Sequence, residues 1–141
     1  MAQEEKDLLL KGICARLPYG VKIHIDSEFL REKGWDIQTV VGIDFSLKIV
    51  LAEHNWYLPE KIKPYLRPMS SMTEEERKIV CTMNILSEAE LDDRIKYQKM
   101  YVQNYTIETF DLFNSNHLDY LGLIEKGLAI ESHEGVYDEN C

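Results

Sequence analysis

The run Lys63-Pro64-Tyr65-Leu66-Arg67-Pro68-Met69-Ser70-Ser71-Met72-Thr73-Glu74-Glu75-Glu76 divides the chain. Each proline fixes its own φ and pushes the residue before it, Lys63 or Arg67, out of the helical region, so residues 63–72 read as an extended connector. Thr73 then meets Glu76 at the capping-box spacing, which predicts a helix start at Thr73. The acids Glu74, Glu75 and Glu76 fall in its first turn, where they favour the positive end of the helix dipole. Residues before the run pattern mainly as strand, and residues after it pattern as helix.

Upstream, Val21-Lys22-Ile23-His24-Ile25 alternates apolar and polar residues. That period of two predicts a half-buried strand with Val21, Ile23 and Ile25 inward. Residues 26–36 are polar, are broken by Gly34 and read as a loop. The β-branched stretch from Ile37 to Asp44 predicts a second strand, and residues 45–51 a third. Val40 and Val41 are both apolar, which breaks the period and places a bulge near Gly42. In front of this meander, Leu9, Leu10, Ile13 and Leu17 recur at helical spacing and predict a helix over 4–16, ended by Pro18-Tyr19-Gly20. Trp56-Tyr57-Leu58-Pro59 reads as loop.

Downstream, a helix from Glu74 to Leu86 carries the stripe Ile79, Val80, Met83 and Leu86. Ser87 with Glu90 repeats the capping box and opens a second helix to about Gln103, with Leu91, Ile95 and Val102 on its buried side. A third covers Ile107 to Asn116, burying Ile107, Phe110 and Phe113. Residues 121–127 read as one helical turn closed by Gly127 in the left-handed region, and residues 128–130 as an edge strand. From Glu131 the chain carries Glu131, Glu134, Asp138 and Glu139 without Lys or Arg, a tail expected to be loosely ordered. The fold class is α+β: an N-terminal helix, a small antiparallel sheet of about three strands and a helical C-terminal half. The single domain 1–141 divides into 1–62 (helix plus meander), 63–72 (connector), 73–130 (helical part) and 131–141 (acidic tail).

The totals limit function. A chain of 141 residues with 45% hydrophobic and 29% charged residues has an ordinary globular balance. Its formal net charge of −9, from 25 acidic and 16 basic side chains, lacks the basic footprint of a nucleic-acid or anionic-lipid binder. Cys14, Cys81 and Cys141 are widely spaced and form no CxxC or Cys/His cluster, which argues against zinc. The acidic start is unlike a signal peptide, and no apolar run approaches the roughly 18–20 residues that span a bilayer. The expected compartment is the cytoplasm.

No catalytic, cofactor or metal motif stands out. His24, His54, His117 and His133 are scattered, with no helical i, i+4 pair; Cys14 and Cys81 fall on or beside apolar faces as small hydrophobes. Adjacent acids such as Asp92-Asp93 point about 100° apart on a helix and make no acid–base pair by themselves. A site assembled from distant residues would draw on His54, His117 and Cys81. Trp56, Tyr57, Tyr65 and Arg67 are the dense aromatic-plus-arginine group, of the types enriched at binding hot spots. Their structural alternative is an apolar lid over the sheet, with Arg67 paired to an acidic neighbour.

Three blocks carry a resemblance: residues Cys14-Ala15-Arg16-Leu17-Pro18-Tyr19-Gly20-Val21, the 63–76 run, and Gly122-Leu123-Ile124-Glu125-Lys126-Gly127-Leu128-Ala129-Ile130-Glu131. Together they resemble a group of small uncharacterised proteins of gut Bacteroidetes and their phages or prophages. The resemblance implies a bacterial, mobile-element origin and no mechanism. The expected function is a non-enzymatic protein-interaction module binding a protein partner or a second copy of itself, without direct nucleic-acid or membrane binding. The alternatives are an acidic nucleic-acid mimic that blocks a DNA- or RNA-binding protein, and an enzyme with a dispersed site.

Overall fold

The computed structural model of the chain describes residues 1–97, 105–133 and 136–137. Helix α1 (Gln3–Ala15) passes through a 3₁₀ turn at Leu17–Tyr19 into strand β1 (Lys22–Ile25). Helix α2 (Glu28–Lys33) leads to β2 (Ile37–Asp44), which turns back through β3 (Ile49–Ala52) and β4 (Trp56–Tyr57). Strand β5 (Ile62–Leu66) comes next, then α3 (Glu74–Asn84), α4 (Glu88–Lys96), α5 (Ile107–Ser115) and β6 (Ile130–Glu131).

Among the described residues the strands form one sheet in the order β4-β3-β2-β1-β5-β6. All neighbours run antiparallel except β5 and β6, which are parallel. The expected sheet of about three strands is therefore corrected to six. The expected meander is β1, β2 and β3. The two-residue β4 lies in the segment read as loop, because so short a strand shows no alternation. The first half of the supposed connector is β5, although it contains Pro64. Val40 N donates to Val21 O toward β2, and pairing alternates along a strand, so Lys22 and His24 present their backbone groups to β5. Pro64 stands opposite Ile23 and turns its nitrogen away from β1, on the side where β6 begins only opposite Tyr65. A strand proline is tolerated where its missing N–H faces no partner.

The C-terminal half is mixed rather than helical. After α5 the chain returns to the sheet, first by a parallel bridge between Arg67 and Leu118 and then by β6. Residues 121–127 form turns, with Gly127 at φ 74°. Residues 26–36, expected as loop, contain α2, capped by the Ser27 hydroxyl on Leu30 N. The bulge stands where the double valine placed it, as a register shift between Val40 and Gly42. Both capping boxes, Thr73–Glu76 and Ser87–Glu90, are formed. Ile107, expected inside, is exposed, because its position at the start of α5 points away from Phe113. Residues 98–104, and with them the expected burial of Val102, lie outside the described residues.

Two apolar clusters hold the molecule. In the first, Leu9, Leu10 and Ile13 of α1 lie on Val21, Ile23, Ile25, Val40, Val50 and Ile62 of the sheet's inner face. In the second, Met69, Met72, Val80, Leu91, Phe113, Leu118 and Tyr120 close α3, α4 and α5 over the segment after β5. Each fully buried side chain of this size contributes about 1.5–3 kcal/mol.

Arg16 stands at the seam between these clusters, with no exposed surface. It is the C-cap of α1; one guanidinium nitrogen donates to Gly12 O at 2.7 Å and another to Leu118 O. Burial works against its charge, while Tyr120 and Asp119 work for it. A cation suits the last turn of a helix, where carbonyls lack partners.

Candidate interaction surface

Because side chains alternate along a strand, the face of the sheet opposite α1 carries the other half of each strand. On β1 these are Lys22 and His24, opposite Thr39 and Ile37 of β2. In the bulge stands Val41, followed by Leu51 on β3, whose direct partner on β4 is Trp56. Val41 is 66% exposed and Trp56 is 56% exposed; Leu51 and Ile37 are also open to solvent. Among the described residues no helix covers this part of the sheet, since α1 and the first core lie on the inner face. The result is a row of apolar side chains running across three strands to the β4 edge.

The far side of the same face is polar and partly closed. The Tyr65 hydroxyl and His24 Nδ1 are 3.2 Å apart, and the rings of His24 and His133 both meet Tyr65 edge-on. Burial pushes the Tyr65 hydroxyl pKa up. Beside it is a cavity of about 380 Å³ lined by His24, Asp26, Glu60, Lys61 and Lys63.

The four aromatic and arginine residues singled out in the sequence do not form one cluster. Trp56 and Tyr57 lie on the β4 edge, and β3, β2 and β1 separate them from Tyr65 on β5. Trp56 faces solvent, whereas the Tyr57 hydroxyl takes a hydrogen bond from Gln38 Nε2 at 2.9 Å. Tyr65 is buried. Arg67 makes a two-pronged pair with Glu76, at 3.0 and 2.8 Å, and donates to Ser71 O at 2.9 Å. Burial pushes the Glu76 carboxyl up, but its hydrogen bonds from Arg67 and Thr73 prevail and hold it below the ordinary range. Arg67 thus ties the end of β5 to the start of α3.

The residues weighed for a dispersed catalytic site sit in separate neighbourhoods. His54 stacks on Trp35, with centroids 4.0 Å apart. His117 stacks on Tyr137 at 3.7 Å, beside Arg16. Cys81 lies on α3 with its thiol 3.8 Å from Ser87 O, and burial and Glu88 raise its pKa, the opposite of what a nucleophile needs. Among the described residues no three His, Cys, Asp or Glu side chains are grouped to hold a metal ion. No helix among them is long and apolar enough to cross a membrane.

Sequence reasoning missed Val41 and Leu51 as surface residues. The double valine was the available signal: side chains alternate along a strand, so of two adjacent apolar residues one turns outward. Compared with known proteins, the chain matches no family model, no curated protein and no solved structure.

Proposed function

We propose that the chain is a non-enzymatic protein-interaction module whose open sheet face receives a protein partner. The observation that carries this reading is the exposed row Val41, Leu51 and Trp56 running out to the edge of the sheet. A surface row of branched and aromatic side chains is a liability for a monomer and an asset for binding. The two-residue β4 is a short edge, so the partner's recognition rests on these side chains more than on strand addition. The resemblance of three sequence blocks to mobile-element proteins supports a bacterial origin for such a module.

A second reading, the nucleic-acid mimic, draws on the acidic first turns of α3 and α4. Glu74, Glu75, Glu88 and Glu90 are exposed there, and Arg77 links the two helices through Glu88 and Asp92 at 2.7 and 2.6 Å.

The test is affinity capture from native lysate with the wild-type chain and a Val41→Glu/Trp56→Glu variant, at low and high salt. The interaction reading expects a stoichiometric partner that the variant loses while its thermal unfolding stays unchanged. A partner retained by the variant and lost with salt favours the mimic, because exposed charges are screened. Turnover of a substrate by the purified chain overturns both.

A further inference from the structure

A groove of about 590 Å³ lies between α1 and the β2–β3 turn, away from the open sheet face. Its α1 wall is Asp7, Leu10, Lys11, Cys14 and Ala15, the i, i+3, i+4, i+7, i+8 stripe of one helix face. Phe45 and Lys48 of the turn form the other wall. Leu10 belongs to the core, so the floor is apolar and rigid; Phe45 is 59% exposed and closes one side.

The charges are unequal. Asp7 is engaged, accepting from Gln3 at 2.9 Å and Lys48 at 3.2 Å, and these bonds hold its carboxyl below the ordinary range. The Lys11 side chain makes no ion pair or hydrogen bond among the described residues, in a chain with 25 acids to 16 bases. Lys48 has φ 54°, the left-handed region where a turn ordinarily takes glycine or asparagine. Asp44 fixes that turn by accepting from Ser46 N and Leu47 N. Backbone strain of this kind gathers at ligand-holding segments. Here it places the Lys48 ammonium against Asp7 at the groove mouth.

We propose that this groove binds a single-chain amphiphile with a carboxylate head, of the fatty-acid class. The alkyl chain lies along Leu10, Cys14, Ala15 and Phe45, and the carboxylate meets Lys11, with Lys48 beside it. Asp7 to Ala15 spans about 12 Å at 1.5 Å per residue, enough for a medium-length alkyl chain. The volume lies within the range of small-ligand sites. An apolar wall rimmed by a cation without a partner among the described residues matches an anionic head better than a cationic one.

The experiment titrates decanoate into the full chain by calorimetry and follows alkylation of Cys14 by N-ethylmaleimide with peptide mass spectrometry. Decyltrimethylammonium, with a comparable tail and the opposite charge, is the control. The expected result is saturable decanoate binding near one per chain and several-fold slower Cys14 alkylation, neither seen with the cationic control. Lys11→Glu weakens decanoate at least about tenfold. Lys48→Gly weakens it too without lowering the unfolding temperature, because the glycine relieves the left-handed backbone. Val41→Glu/Trp56→Glu leaves it unchanged, which separates this site from the sheet face. Absence of saturable binding, equal protection by the cationic control, or undiminished affinity in Lys11→Glu overturns the proposal.

Discussion

Arg16 and His117 are buried polar residues whose value is positional. Arg16 joins the end of α1 to the segment after α5, because Gly12 and Leu118 both give it carbonyls. Replacing it with alanine takes the guanidinium from both carbonyls, leaving Leu118 O with only the Tyr120 N–H, and opens a cavity. The expected loss is about 2–5 kcal/mol, read by urea unfolding. His117 has φ 56°, and burial together with Arg16 lowers its pKa to about 4 from 6.5. The unfolded chain therefore takes up a proton at a higher pH than the folded one. Stability is full above about pH 6.5, is lost as pH falls toward about 4 and levels off below that, by up to about 3 kcal/mol. His117→Asn suits the left-handed backbone and should flatten that part of the stability–pH curve. Arg67→Ala is expected to cost about 2 kcal/mol through the unpaired Glu76 while leaving partner capture intact; unchanged stability with lost capture would restore Arg67 as a binding residue.

At the scale of elements, two joints invite substitution. Ile85 closes α3 at φ 54° with its side chain 91% exposed. A β-branched residue in the left-handed region is strained, and here no packing offsets it. Ile85→Gly is expected to raise stability by about 1 kcal/mol, measured as a higher unfolding midpoint. The second joint is the ladder between β1 and β5. Beyond the pair Ile23–Pro64, the Tyr137 hydroxyl stands between the strands, accepting from Lys22 N at 2.9 Å and donating to Tyr65 O at 2.7 Å. Tyr137→Phe keeps the ring stack on His117 and removes this bridge. A loss of about 1–2 kcal/mol is expected, with faster amide exchange at Lys22. Val136 beside it is buried, so this part of the tail is packed and not loose.

These elements also show what a linear sequence discloses. Local chemistry was legible: Thr73–Glu76 and Ser87–Glu90 cap as spaced, Val21–Ile25 alternates, and Val40-Val41 betrays the bulge. What escaped was set by distant partners. Pro64 is a poor strand residue until β1 is seen to face its other side. Trp56-Tyr57 is a strand only because Val50 and Leu51 stand opposite. Trp56, Tyr57, Tyr65 and Arg67 lie close in sequence, and the sheet order places them apart.

As a whole molecule, the chain is one sheet covered by α1 on its inner face, with a second core built from the helices. Both cores meet near Arg16 and Leu121, which packs against each cluster. Among the described residues the outer face between β1 and β4 has no such cover, and the interaction reading rests on it. The most direct measurement is oxidative footprinting of Trp56 and Val41 in the native lysate and in the purified chain at low concentration, with Phe29 (65% exposed on α2) as reference. Protection of Trp56 and Val41 in lysate, with Phe29 unchanged, is the expected result. Equal reactivity of all three in lysate and in isolation would contradict a partner on the sheet face.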